Sequence, residues 1–307
     1  MNSDIYKLLK WYKRKFKYAL DLKNPQTFSE KLQWLKIFDA TPLKTQLADK
    51  YLVREWIKEK IGEKYLIPLI GVYDKFDDID FDTLPDRFVL KCNHGSGYNI
   101  IVHNKHNIDW SQTKKQVNEW LCENYALKCF EMHYENITPK ITIEKYIENK
   151  TIGDLYDYKI WCYDGKVKYI QLMSGRHLGN FCEAFYDKNW NKYSFITNHP
   201  LAEDLPKPQN LHEMIKIAET LSQGFSFVRV DLYSTEDQKI YFGEMTFTPA
   251  SGIFRYITKE TNIALGKELT LPSQAYNFRT GKYFTPTYEP FWKIRLKYVL
   301  SKIGICL

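Results

Sequence analysis

The chain has 307 residues, 44% hydrophobic and 26% charged, with a formal net charge of +7 and a pI of about 8.8. No stretch approaches the roughly 20 apolar residues of a transmembrane helix, and the N-terminus lacks the unbroken apolar core of a secretory signal. These bounds predict a cytoplasmic protein of two or three lobes whose positive charge suits an anionic partner such as a nucleotide, a membrane surface or an acidic glycan. Nucleic acid is not an expected partner. Cys92, Cys122, Cys129, Cys162, Cys182 and Cys306 form no CxxC pair, and the seven histidines form no ligand-spaced cluster with them. Reduced, mostly buried thiols and no structural zinc are therefore expected. The 23 Tyr and 18 Phe fit either ligand-lining aromatics or an AT-biased genome.

In chain order, residues 4–20 predict a helix loaded with Lys7, Lys10, Lys13, Arg14, Lys15 and Lys17. Thr27 followed by Glu30 is a capping-box signature, with Leu32, Leu35 and Ile37 near helical spacing behind it. A single helix is expected over 43–62, ending at Gly62. Residues 65–85 read as extended and punctuated by Pro68, Gly71 and Pro85. FVLK (88–91) and NIIVH (99–103) read as a hairpin with a flexible glycine-rich tip. Helix returns over 110–133, and KITIEKYIEN (140–149) reads as a strand. Residues 155–173 alternate about Asp164-Gly165, a strong hairpin signal. A loop spans 186–210, a helix 211–223, and two strands round a polar turn follow to Phe247. Near the C-terminus Lys293, Arg295, Lys297 and Lys302 repeat the basic, aromatic mixture of the first helix. Both ends fit amphipathic helices on an anionic leaflet or surface helices with a solvated basic face. The order is α+β rather than a regular βαβ alternation.

Three groups of residues carry chemistry. Lys91, closing a strand beside His94, Gly95, Ser96 and Gly97, can set a cation and free backbone N–H groups against one phosphate chain. A lysine capping an edge strand is the alternative, since neither GxxxxGK[ST] nor GxGxxG is present. Asp231 and Glu244 lie on strands that a turn brings side by side, which suits a hard oxygen site for Mg²⁺. Arg229 shares a face with Asp231 by alternation, so an Arg–Asp pair competes with that reading. A strand edge exposing Glu144 and the backbone through Ile147 fits adenine recognition or an ordinary exposed strand. Asp157 and Lys159 share a face and either reach phosphates or pair with each other.

Taken in order, TFSEKLQWLK, ADKYLVREW, YLIPLIGVYD, LPDRFVLKCNHGSG, IEKYI, DYKIWCYDGK, VRVDLY and GEMTFTPASG resemble the TupA-like ATP-grasp family, named for a teichuronopeptide-biosynthesis protein. The resemblance implies an ATP-grasp-like α+β fold, two lobes clasping ATP. It suggests a helical part over 1–70, a lobe with the phosphate lysine and glycine loop over 71–145, a lobe with hinge and metal site over 146–260, and a basic helical tail over 261–307. It implies that Lys91 binds phosphates under a flap at His94–Gly97, and that Glu144, Lys145, Tyr146, Ile147 and Glu148 form the hinge against adenine and ribose. Lys159 then lies near the phosphates, Asp231 and Glu244 ligate Mg²⁺, and Arg229 steadies an acyl phosphate. Thr246 stands where the family places an Asn ligand, a weaker donor that bears on the second metal. The implied activity is carboxylate–amine ligation on a uronic acid or amino sugar of a bacterial surface polysaccharide such as a capsule or O-antigen, with a small-molecule or lipid-linked glycan as substrate. The competing classes are a glycosyltransferase using a metal-bound sugar nucleotide, although no DxD motif is present, and a non-catalytic membrane-bound scaffold.

Overall fold

The computed structural model describes residues 2–148, 155–174, 182–193, 205–254 and 258–302. The helical beginning comprises α1 (Asn2–Phe16), α2 (Phe28–Phe38), α3 (Pro42–Ala48) and α4 (Val53–Lys60). Then come β1 (Leu69–Tyr73), β2 (Phe88–Cys92), β3 (Asn99–Val102), α5 (Trp110–Cys122), α6 (Ala126–Cys129) and β4 (Ile141–Lys145). The second half holds β5 (Tyr156–Tyr163), β6 (Lys166–Ser174), β7 (Cys182–Tyr186), β8 (Lys192–Tyr193), α7 (Leu211–Leu221), β9 (Phe227–Ser234) and β10 (Ile240–Thr246). After them lie α8 (Lys259–Glu268), β11 (Ala275–Asn277), β12 (Lys282–Phe284) and α9 (Phe291–Lys302).

The capping box forms as expected. The Glu30 amide donates to Thr27 Oγ1 at 3.2 Å, and the Thr27 amide donates to Glu30 Oε2 at 3.0 Å. The helix expected over 43–62 is instead two helices. Asp49 breaks it by accepting from the amides of Tyr51 and Leu52 at 2.8 and 3.1 Å, a local turn that competes with helical bonding. Asp164 and Gly165 turn the β5–β6 hairpin with φ of 45° and 74°, the positive values that a two-residue turn requires. The region expected to be loop over 186–210 is preceded by β7 and includes β8. Of the described cysteines, none forms a disulfide, but only Cys92 and Cys162 are buried and Cys122 is exposed. The thiols are thus less buried than expected, and Cys306 lies outside the described residues.

Two antiparallel sheets organise the site. The smaller runs β1-β4-β2-β3, and the larger runs β10-β9-β5-β6-β7-β8. In the smaller sheet Phe88, Leu90, Cys92, Ile141 and Ile143 pack with Val117 of α5, leaving Val89, Lys91 and Glu144 on the opposite face by alternation. In the larger sheet Tyr158, Ile160, Cys162, Val228, Val230 and Leu232 pack on the buried stripe of α7. The other face carries Trp161, Tyr163 and Phe227, whose rings meet Phe28 of α2 at centroid distances of 5.5, 6.0 and 5.1 Å. Both faces being covered, α2 is buried almost all round. No helix among the described residues is long and apolar enough to cross a membrane.

α8 closes over the start of α2. A Cβ at Gly266 would lie 2.2 Å from the Gln26 carbonyl oxygen and 2.7 Å from the Phe28 nitrogen, both backbone atoms. Replacing a helical glycine with alanine ordinarily gains about 1 kcal/mol. Here Gly266→Ala is expected to cost about 1–3 kcal/mol through overpacking, read as a lower urea midpoint. A midpoint equal to or above that of the parent would show that the two helices are not in this contact.

Candidate active site

Along β5 and β9 one sheet face changes character from end to end. Tyr163 faces Phe227, Trp161 faces Arg229, Lys159 faces Asp231 and Asp157 faces Tyr233 across the ladder. The aromatic end lies under α2; the other end is ionic. Asp231 receives Arg229 Nε at 2.6 Å on Oδ1, and Arg229 Nη2 at 2.7 Å and Lys159 Nζ at 2.6 Å on Oδ2. Lys159 also meets Asp157 Oδ2 at 2.7 Å. Burial works against the Lys159 ammonium, but Asp157 and Asp231 outweigh it and raise its pKa.

Glu244 reaches this face only because β10 is irregular. Phe242 and Glu244 are two residues apart and would share a face in a regular strand. The register shifts between them, so Phe242 pairs with Leu232 and packs in the core while Glu244 pairs with Asp231. Gly243 is the extra residue of this bulge. Arg229 Nη2 donates to Glu244 Oε1 at 3.3 Å and to Thr246 Oγ1 at 3.1 Å, and Thr246 Oγ1 donates to the same Glu244 oxygen at 2.9 Å. Burial opposes ionisation of Glu244, but Lys50, Arg229 and Lys159 outweigh it and hold the carboxyl at about 2.

These oxygens fit Mg²⁺ in kind, being two carboxylates and a hydroxyl on paired strands. Glu244 Oε2 takes no hydrogen bond among the described residues, and its side chain is 32% exposed. Asp231 is 2% exposed and engaged by two cations, so its share in a metal site requires Lys159 to yield one oxygen. Among the described residues no cluster of three or more His, Cys, Asp or Glu could hold a metal; the donor set here depends on the threonine.

Next to the ionic face lies a pocket of about 160 Å³ between the two sheets. Val89, Lys91, Asn99 and Ile101 line it from the smaller sheet, and Asp157, Met173 and Tyr233 from the larger. The segment from Glu144 through Lys145, Tyr146, Ile147 and Glu148 forms a further wall. Lys91 donates to Glu144 Oε2 at 2.5 Å, and Arg54 Nη1 meets Glu144 Oε1 at 3.2 Å. Two expectations fail here. β2 lies between β4 and β3, so Lys91 does not cap an edge strand. β4 lies between β1 and β2, so the edge expected at Glu144 is already paired, and the Glu144 carboxylate orients Lys91 and Arg54 instead. Beyond the strand, Tyr146 lies under the Arg87 guanidinium at 4.3 Å, and Glu148 pairs with Arg87.

The glycine loop is divided. His94 is 2% exposed, and its Nε2 lies 2.8 Å from the Trp120 carbonyl oxygen. Burial lowers its pKa, so it is a packed neutral ring and not a cation over the pocket. Gly95 is buried, with no room for a Cβ beside Tyr98 and Tyr125, whereas Ser96 and Gly97 are exposed and Gly97 adopts a φ of 77°. None of the four lines the pocket.

Sequence reasoning missed Lys50. Its ammonium donates to the Gly95 carbonyl, and burial lowers its pKa against the pull of Glu244 while nearby Lys91 lowers it further. It therefore holds the glycine loop, with Lys91 and Glu244 near enough for their charges to act on it. The available signal was Asp49, a helix breaker that places the next residue in a turn. Also missed were Tyr233 and Met173, whose place on the pocket depends on how the two sheets meet.

The family described as TupA-like ATPgrasp matches residues 30–270. No curated protein matches the chain. Among solved structures, D-alanine–D-alanine ligase from Bacillus anthracis, complexed with ATP, is similar at 19% identity and a TM-score of 0.44, over 72% of this chain and 61% of that one. L-amino acid ligase from Bacillus licheniformis is similar at 12% identity and a TM-score of 0.45, over 92% and 67%. N5-carboxyaminoimidazole synthetase from Staphylococcus aureus is similar at 16% identity and a TM-score of 0.42, over 74% and 53%. The chain thus spans less than two thirds of the length of the first and third of these.

If Lys50 ties down the glycine loop, Lys50→Met, which keeps the apolar stem, is expected to speed hydrogen exchange at the Ser96 and Gly97 amides several-fold. Unchanged exchange there would mean that His94 and Tyr98 hold the loop without it.

Proposed function

The chain belongs to the TupA-like ATP-grasp family, and on that premise we propose that it is an ATP-dependent ligase that activates a carboxylate as an acyl phosphate and joins it to an amine. The observation that supports this most strongly is that Lys91 and Asp157 line the inter-sheet pocket while Asp157 also pairs with Lys159, which joins Arg229, Asp231 and Glu244 in one ionic cluster. Val89, Ile101 and Met173 offer apolar contact to a base, and Lys91 and Lys50 offer cations to a phosphate chain. Asp231, Glu244 and Thr246 would hold Mg²⁺, which when bound supplies charge neutralisation to the phosphates.

In the proposed reaction a substrate carboxylate oxygen attacks the γ-phosphorus of ATP and ADP leaves. The amine nitrogen then attacks the acyl carbon, inorganic phosphate departs, and the amine loses a proton. Negative charge grows on transferring oxygens in both steps, and preorganised cations such as Arg229 and Lys159 stabilise it without reorganising. No side-chain nucleophile is needed. On the strength of the family we place the carboxylate on a uronic acid of a bacterial surface polysaccharide, or its lipid-linked precursor, and the amine on an amino acid or amino sugar.

ADP release from ATP and Mg²⁺ with candidate carboxylates and amines tests this reading. Release of UDP or GDP from sugar nucleotides, with no ADP, would overturn it in favour of glycosyl transfer. Glu244→Gln is expected to reduce Mg²⁺-dependent ADP release to background with the circular dichroism spectrum intact; an undiminished rate would remove Glu244 from the site. Lys91→Ala is expected to weaken ATP binding by about 2 kcal/mol, or about thirtyfold in Kd, by isothermal titration. An unchanged Kd would exclude Lys91 as a phosphate ligand.

A further inference from the structure

A second cavity, of about 900 Å³, lies between α1, the loop following it and the start of α9. It shares no lining residue with the nucleotide pocket, so its chemistry is independent of the ligase reading. Its walls are apolar: Ile5 and Leu9 from α1, Leu20 from the loop, Phe38 from α2, and Phe291 and Ile294 from α9. The two helices are held by Tyr6, whose ring stacks on Phe291 and Tyr298 at 5.6 and 4.5 Å.

The rim has the opposite chemistry. Lys10, Lys13, Arg14, Lys17, Lys23 and Arg295 line the cavity, and all six are exposed. Against them stand two acids, and both are engaged. Asp21 accepts from the amides of Lys23 and Asn24 at 2.9 and 3.0 Å, and Glu289 accepts from Lys297 at 2.7 Å. Among the described residues no ion pair holds any of the six cations. α1 explains the arrangement in sequence terms. Its buried positions Ile5, Leu8, Trp11 and Tyr12 repeat at helical spacing, so Lys10, Lys13 and Arg14 fall along its exposed side, and Lys17 follows directly after its end. Like charges this close repel one another, and an anion would relieve that repulsion.

We propose that this cavity binds a lipid phosphate, with one acyl or isoprenyl chain in the apolar interior and the phosphate on the basic rim. Apolar walls alone would take any small hydrophobe, and a basic rim alone would take any anion. Their combination selects a molecule with both parts. A rim of six cations against two engaged acids favours a head that can carry two negative charges over a singly charged carboxylate.

The test is isothermal titration of the full chain with dodecyl phosphate below its micelle-forming concentration, beside octyl phosphate, dodecanoate, dodecanol and inorganic phosphate. Dodecyl phosphate is expected to bind tightest, and affinity to rise about fourfold per buried methylene between the octyl and dodecyl compounds. The double variant Lys13→Glu, Arg14→Glu, at exposed and unpaired positions, is expected to lose at least about tenfold in affinity for dodecyl phosphate, with ATP binding unchanged. Inorganic phosphate or dodecanoate binding as tightly as dodecyl phosphate would overturn the proposal, as would a double variant of unaltered affinity. Sedimentation with phosphatidylglycerol vesicles without binding of monomeric dodecyl phosphate would also overturn it, assigning the basic helices to a bilayer surface instead.

Discussion

The carboxylate of Asp231, held by Arg229 and Lys159 on a sheet face that is aromatic at its other end, is the constraint on which the rest depends. A charge buried to this degree is tolerated only when paired and hydrogen-bonded, and its partners come from two neighbouring strands, Arg229 from β9 itself and Lys159 from β5. Pairing those strands in any other register would separate Asp231 from Lys159, the cross-strand ion pair that joins them. The ionic end therefore specifies alignment, while Phe28 and its ring contacts supply the apolar burial that drives assembly. One face thus does two jobs, divided at Trp161.

The turn that follows β10 is supported from below by a different kind of polar core. Ala250 and Ser251 adopt positive φ of 49° and 52°, which is unfavourable for residues other than glycine. Beneath them Glu131 accepts from Ser251 Oγ at 2.9 Å, and Lys36 donates to the carbonyl oxygens of Cys129 and Ser251. Burial lowers the Lys36 ammonium to about 8, with Glu131 opposing, and burial raises Glu131, with Lys36 opposing. A strained turn resting on two buried charged side chains is expected beside a site that must hold its side chains still.

Much of this is legible in the chain because charged residues inside apolar runs announce themselves. Lys91 breaks an apolar run before glycines, Asp231 breaks another, and Asp164-Gly165 names its own hairpin; the family resemblance then puts them in order. What escapes are properties of pairing and packing. Nothing in KITIEKYIEN says that β4 is flanked on both sides, so the sequence presents Glu144 as an exposed recognition edge when it is the carboxylate that orients Lys91. Nothing near HGSG says that α5 will cover His94, so the burial of its ring is not legible there. Lys50 lies 41 residues before Lys91 in the chain, and only the fold of α3 and α4 around Asp49 brings it to the glycine loop.

The bulge at Gly243 gives the β9–β10 pair a parity that the flanking turn cannot alter. A strand with one surplus residue has its two halves facing opposite ways, so the apolar half around Phe242 and the ionic half from Glu244 onward cannot slide together. A slip by a single residue would carry Glu244 toward Val230 in the core and turn Phe242 to the ions, a double penalty with no compensating contact. Alignment is thereby set inside the strand, and the turn over 235–239 is not needed to fix it. The same lock makes residue 243 intolerant of deletion, and it would act as a hinge-free reference point if the two sheets moved about the pocket.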